Sequence, residues 1–313
     1  MGELMNIEST AIQRQELTDD IFSKWLHYTD VMPKSHATYT RAIKMFVAYL
    51  RWNNIETPTR EDIVAYRDLL KKEHKPNTVQ LYLTAVRLFF RWTEQEYIYP
   101  NIAEHIKGAK VDREHKKDYF TAEQVRVVLN SIDRSTLRGK RDYALLTLMF
   151  TTGLRTISIA RANVEDIGTY GDTAALFYQG KGHEEKAEAV ILAEPVEAAI
   201  RDYLKARGRT AGKKPLFVSM ARRNPGERMT TRSISRIVKE TLVNAGYDSD
   251  RLTAHSLRHT AATLNLLNGA TIEETQQLLG HSNINTTMIY SHALKRINNH
   301  SEQRIAKAIF ETG

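Results

Sequence analysis

The chain has 313 residues, 42% hydrophobic, 26% charged and 8% aromatic, which is the make-up of a folded globular protein and excludes a disordered one. It contains no cysteine, so a disulfide framework, a thiolate nucleophile and cysteine-ligated zinc or iron–sulfur centres are all excluded, and the reducing cytoplasm fits. Lys and Arg number 45 against 37 Asp and Glu, a formal charge of +8, which favours an acidic partner without identifying one.

A length about twice that of a typical domain predicts two domains. The longest apolar stretch of note, Tyr143–Phe150, falls far short of the roughly 20 residues of a membrane span. Met1–Asp20 lacks the basic start and continuous apolar region of a signal peptide. After a tail over 1–15, a first helix is expected over Asp20–Thr29, then a break at Pro33 and a second helix over Ser35–Trp52. In the latter, Ile43, Phe46, Val47 and Leu50 recur at the spacing of one buried face. A third helix starts at Thr59, with Glu61 and Asp62 complementing the positive end of its dipole, and runs to Glu73. A fourth opens with Pro76 in its first turn. Its stripe of Val79, Leu83, Val86 and Phe90, widened by Tyr82, Phe89 and Trp92, places it at the centre of a small bundle. Residues 16–108 therefore read as an all-helical domain.

Lys107–Asp118 is polar and nearly without apolar anchors, which marks 109–118 as an exposed linker. A helix then opens at Thr121 with Gln124 in the capping-box position, and another covers Asp142–Thr151. Ala174–Tyr178 and Ala189–Leu192 read as two strands of a hairpin joined through Gly180-Lys181-Gly182. Helices resume at Glu194–Arg207, Thr231–Ala245, His255–Asn268 and Thr271–Leu279, the last with a Thr-x-x-Glu capping box ending at Glu274. The fold class is thus mainly α, with a mostly helical second domain over 119–294 carrying a small antiparallel sheet. A terminal helix over 295–313 follows, its apolar stripe formed by Ile297, Ile305, Ala308 and Ile309.

Five places in the second half suit a phosphodiester, though each has an ordinary reading when taken alone. Thr152-Gly153-Leu154-Arg155 puts an Arg just after a helix-ending Gly, where its guanidinium can fork onto two phosphate oxygens or serve as a surface residue at a C-cap. Lys181 sits between two glycines at a turn, where its ammonium can reach into a DNA groove, although an isolated Gly-Lys-Gly better suits a solvated turn lysine. His255 and Arg258 share a helix face. His255 and His259 also have a metal-binding spacing, but Ser256 replaces the Glu that a metalloprotease needs and there is no Cys to assist. His281 and Tyr290 complete the set, and a lone Tyr is usually core or surface.

The ordered set is what distinguishes the chain. Thr-Gly-Leu-Arg at 152–155, Gly-Lys-Gly at 180–182, His-Ser-Leu-Arg-His-Thr at 255–260, Leu-Leu-Gly-His-Ser at 278–282 and Thr-Thr-Met-Ile-Tyr at 286–290 together resemble the tyrosine recombinase (phage integrase) family. The helical first half, with Lys-Pro-Asn-Thr at 75–78, is similar to that family's core-binding domain. The resemblance implies a SAM-like helical bundle followed by a DNA breaking-rejoining fold. It implies a site-specific DNA recombinase working through a 3′-phosphotyrosine and Holliday junctions, for integration or excision of a mobile element or resolution of replicon dimers. Tyr290 would be the nucleophile. Arg155 and Arg258 would clamp the phosphate, Lys181 would protonate the leaving oxygen, His255 would handle the tyrosine proton, and His281 would donate a hydrogen bond. No metal, ATP or other cofactor is implied, and the chain has no Gly-x-x-x-x-Gly-Lys-Ser/Thr loop.

The implied partner is double-stranded DNA with a specific core site, held by a homotetramer on two sites whose subunits are monomeric or weakly associated when free. The implied setting is the cytoplasm, at the nucleoid when on DNA. Arg41, Lys44, Asn77, Thr78 and Arg87 in the first domain, and Arg232 and Arg236 in the second, are candidate DNA contacts, the alternative for each being a solvated helix face. The terminal helix would dock on a neighbouring protomer or pack on its own domain. The short stretch before Leu17 leaves no room for an arm-binding domain, so the expected plan is the simple Xer-like one. The chain departs from the family at Ser158, where an acid is usual three residues after the first Arg; Glu165 and Asp166 are candidate replacements. A topoisomerase-like enzyme using the same residues, and a DNA-binding protein without catalysis, stand as the other readings.

Overall fold

The computed structural model describes residues 12, 16–29, 31, 33–110, 118–180, 185–208, 211–290 and 299–311. The chain divides into two compact units, Met1–Glu114 and His115–Gly313. In the first, α1 (Asp19–Tyr28), α2 (Pro33–Trp52), α3 (Arg60–Glu73) and α4 (Pro76–Gln95) bury a single aromatic-rich core. Pro33, expected to be a break, instead opens α2, because a proline at the first helical position has no N–H to lose and its φ already suits the helix. Thr59 caps α3 through its backbone N–H, which donates to Asp62 Oδ2 at 2.7 Å. Val79, Leu83, Val86, Phe89 and Phe90 of α4 are fully covered, and Phe89 stacks on Phe22 with ring centres 4.7 Å apart. Each such side chain contributes about 1.5–3 kcal/mol on burial. Tyr99 donates its hydroxyl to the Pro58 carbonyl at 2.6 Å, tying the chain after α4 to the start of α3.

The second unit contains α5 (Ala122–Asn130), α6 (Leu137–Thr152), α7 (Thr156–Arg161), β1 (Ile167–Tyr170), β2 (Thr173–Tyr178), β3 (Glu188–Ile191), α8 (Glu194–Arg207), α9 (Thr231–Asn244), α10 (Ala254–Leu267) and α11 (Ile272–Leu279). They are followed by α12, described over 285–290, and α13 (Ser301–Phe310). Helix α6 is the hub, with Ala144, Leu145, Leu146, Leu148, Met149 and Phe150 all buried, and α8 and α10 pack against it. It begins five residues before the expected Asp142, because the Thr136 hydroxyl accepts from the Gly139 N–H at 3.0 Å and caps a polar first turn outside the apolar stripe.

The sheet has three antiparallel strands, in the order β1-β2-β3, where the sequence predicts two. The added edge strand, β1, has four residues, and Thr169 and Tyr170 at its end are exposed, so it carries too little alternation to be read. Among the described residues no helix is long and apolar enough to cross a membrane. None of the α13 residues is buried, and Ile305, Ile309 and Phe310 stand exposed.

Candidate active site

Two helix ends build the site. Helix α6 stops at Gly153, whose φ of 62° lies in the left-handed region. A Cβ there would stand 2.7 Å from Leu279 Cδ2, so both conformation and space require glycine. Helix α11 stops in the same way at Gly280, φ 58°. The first turn delivers Arg155 to the N-cap of α7, and the second delivers His281.

Arg258, buried on α10, bridges the two turns. Its Nη1 donates to the Gly153 carbonyl at 2.7 Å and its Nη2 to the Leu279 carbonyl at 2.6 Å. Arg155 Nη1 donates to the next carbonyl, that of Gly280, at 3.4 Å. Both cations are therefore held by C-terminal helix carbonyls, the negative ends of helix dipoles. Burial first and Arg155 second push the Arg258 guanidinium down to about 10, where it stays charged at neutral pH.

His281 Nδ1 lies 2.8 Å from the Oγ1 of fully buried Thr287. Burial, then Arg258, Arg155 and His255, bring this imidazole down to about 4, so it is neutral at pH 7. Tyr290 is 4% exposed and packs with Ala262 and Leu279. Burial raises its phenol to about 12, against the opposite pull of Arg258 and Arg155. The Tyr290 ring lies 5.3 Å from that of His259, which in turn meets exposed His255 edge-on at 4.4 Å.

The structure thus gathers Arg155, Arg258, His281 and Tyr290, and reaches His255 through a ring the sequence offers only as a metal candidate. Among the described residues no third metal-ligating side chain joins His255 and His259. Lys181 lies outside the described residues. The two candidate replacements for an acid at 158 differ: Asp166 is engaged elsewhere and Glu165 is exposed. Asp166 accepts from the Asn163 N–H at 2.6 Å and pairs with Lys186 at 2.5 Å, while Glu165 is exposed with its Oε2 near Gly212.

In the first unit, Arg41, Lys44 and Asn77 are exposed and Thr78 is half-buried at the start of α4. Arg87 differs: it is half-buried and its Nη2 donates to the Ile106 carbonyl, so the guanidinium serves the chain. Arg232 and Arg236 are exposed on α9 and line, with Arg138, Arg141, Arg222 and Arg223, a cavity of about 750 Å³.

The sequence matches the phage integrase family over residues 118–296 and the phage integrase N-terminal SAM-like domain over residues 20–98. Tyrosine recombinase XerC of Caldanaerobacter subterraneus subsp. tengcongensis is 33% identical over 245 residues, covering 76% of this chain and 66% of that protein. Tyrosine recombinase XerD of Listeria innocua serovar 6a is 27% identical over 292 residues, covering 88% of this chain and 95% of that one. In fold, the chain is similar to XerH site-specific recombinase in a post-cleavage complex with its palindromic difH substrate, with a TM-score of 0.72 and 21% identity over 88% of this chain and 80% of that one. It is also similar to a lambda integrase tetramer bound to a Holliday junction, with a TM-score of 0.68 and 20% identity over 87% of this chain and 75% of that one.

Proposed function

The chain belongs to the phage integrase family, and on that footing we propose that it is a site-specific recombinase that cleaves and rejoins double-stranded DNA through a 3′-phosphotyrosine on Tyr290. One observation carries this reading above all others. Two guanidiniums are fixed by the carbonyls of adjoining turns, Arg258 on Leu279 and Arg155 on Gly280, and Tyr290 packs with Leu279 of the same turn. Such an arrangement gains most when a phosphate sits between cations and hydroxyl.

In the reaction, Arg155 and Arg258 hold the non-bridging oxygens of the scissile phosphate, and His281 donates a third hydrogen bond. In this role the single proton of the neutral imidazole is on Nε2, a donor rather than a competing charge, and Nδ1 accepts from the Thr287 hydroxyl 2.8 Å away. The Tyr290 oxygen forms its bond to phosphorus as its proton leaves toward His255, either directly or through water. The bond to the 5′ oxygen breaks, and Lys181 protonates that oxygen. Because the phosphotyrosine retains the ester, a 5′ hydroxyl from another strand reverses the step onto a new partner. That exchange is common to integration or excision of an element and to resolution of replicon dimers.

In this organisation residues 16–108 form the core-binding domain, 119–294 the catalytic domain, and α13 (Ser301–Phe310) docks on a neighbouring protomer. The exposed Ile305, Ile309 and Phe310 of α13 are the apolar face available for such docking. Arg41, Lys44, Asn77 and Thr78 contact DNA from the first domain, and Arg232 and Arg236 from the second. The assembly is a tetramer on two sites, working on nucleoid DNA in the cytoplasm and dispersing to monomers when free. The test is to trap covalent adducts of the wild-type protein on a library of random-sequence duplexes. Adducts that vanish in Tyr290→Phe, together with strand exchange between two short duplexes carrying the selected site, support the reading. Relaxation of supercoils without exchange would replace it with a topoisomerase.

A further inference from the structure

Ser158 leaves α7 without an acid beside Arg155, and its hydroxyl is spent on the Gln179 carbonyl at 3.1 Å. Two guanidiniums in one half-buried pocket repel each other, and something must offset that repulsion before a phosphate arrives. Beyond the helix-end carbonyls, a carboxylate of the sheet stands near the same turn. In the β2–β3 ladder Glu188 stands opposite Tyr178, and their polar ends converge over the turn at 279–281. A Cβ built on Gly280 would lie 2.8 Å from Glu188 Oε2 and 3.0 Å from the Tyr178 hydroxyl. Tyr178 donates to the Glu188 carboxylate, and this bond, after burial itself, holds the phenol well above its usual range. The same turn carries the Leu279 and Gly280 carbonyls that hold Arg258 and Arg155, and it leads directly into His281.

We propose that Glu188, held by Tyr178, is a positioning residue of this active site: from β3 it fixes the Leu279–Gly280–His281 turn and offsets the paired charge of Arg155 and Arg258. The inference rests on the recombinase reading above. The favourable effect of Glu188 on the Arg258 cation agrees with it.

The experiment uses the full chain and a nicked duplex carrying a site that the wild type selects. It measures single-turnover adduct formation, duplex affinity and melting temperature for Glu188→Gln, Glu188→Asp and Tyr178→Phe. Glu188→Gln is expected to slow adduct formation roughly tenfold, equivalent to about 1.4 kcal/mol, with duplex affinity and melting little changed. Glu188→Asp, which keeps the charge, should stay within about threefold of wild type, and Tyr178→Phe should fall between the two. A wild-type rate in Glu188→Gln overturns the proposal, as does an equal loss in Glu188→Gln and Glu188→Asp, which would make shape the cause. If Glu188→Gln melts early, Tyr178→Phe decides, and an unchanged rate there overturns it. A wild type that forms no adduct on any sequence removes the recombinase reading and this inference with it, whereas adducts formed equally by wild type and Glu188→Gln remove the inference alone.

Discussion

Arg258 reaches the carbonyl of Gly153, 105 positions earlier in the chain, at 2.7 Å, and with its other terminal nitrogen holds Leu279 at 2.6 Å. One planar fork therefore joins the ends of α6 and α11, the two turns that present Arg155 and His281. Lysine keeps the charge but has a single ammonium and no fixed fork, so Arg258→Lys gives up at least one charge-assisted bond, about 1.5–3 kcal/mol. We expect melting to fall by roughly 2–4 °C per kcal/mol lost. On the proposed mechanism Arg258 also holds the scissile phosphate, so adduct formation is expected to slow about 100-fold. Calorimetry and single-turnover cleavage check the two effects separately, and an unchanged melting temperature would deny the bridging role.

Tyr290 is stored as a covered, protonated phenol, with burial holding it near 12. Below that pH a base must take its proton, a role the proposed mechanism gives to His255, whose exposed ring lies one ring away from Tyr290, against His259. His255→Ala should therefore slow adduct formation at pH 7 by about 10²–10⁴. The deficit should narrow as pH rises toward 10, where hydroxide takes over the same proton. A deficit that stays constant across that range would show that His255 moves no proton.

The parts of this protein that declare themselves in sequence are those whose causes are local. The apolar stripe of α4, the capping boxes at Thr121 and Thr271, and the glycines that end α6 and α11 each depend on residues within one or two turns. Arg155, Arg258, His281 and Tyr290 lie in short motifs for the same reason. Glu188 does not: in sequence it is a charge preceding an apolar run, so the strand is expected to start at Ala189, one residue late. Its meaning depends on the register that puts it across from Tyr178 and on a turn some 90 residues downstream. The brace on Arg258 is equally silent, because its acceptors are backbone carbonyls that any sequence possesses.

His281 offers a pH signature for the folded state. Its imidazole lies near 4 in the protein and near 6.5 in an unfolded chain. Between those values the unfolded chain binds more protons, so the contribution of His281 is complete above about 6.5 and drains away as pH falls toward 4. His281→Asn removes that titration. Its melting temperature should therefore change less between pH 6.5 and 4 than that of the wild type, as followed by circular dichroism. Parallel curves for the two proteins would assign the acid sensitivity to other groups.

The two sets of arginines expected to meet DNA separate by what they touch. Arg232 is exposed at the rim of the arginine-lined cavity on α9, where a guanidinium that neutralises a phosphate releases about one counterion. Arg232→Ala should weaken binding to specific and scrambled duplexes alike, and should reduce the slope of log affinity against log salt by about 1. Arg87 holds the Ile106 carbonyl within the helical unit, so Arg87→Ala should lower melting and leave that slope unchanged. Fluorescence anisotropy over a salt series measures both variants. A loss in Arg232→Ala confined to the specific duplex would mean that the residue reads base edges instead of the backbone. An equal change of slope in Arg87→Ala would return that arginine to the DNA interface.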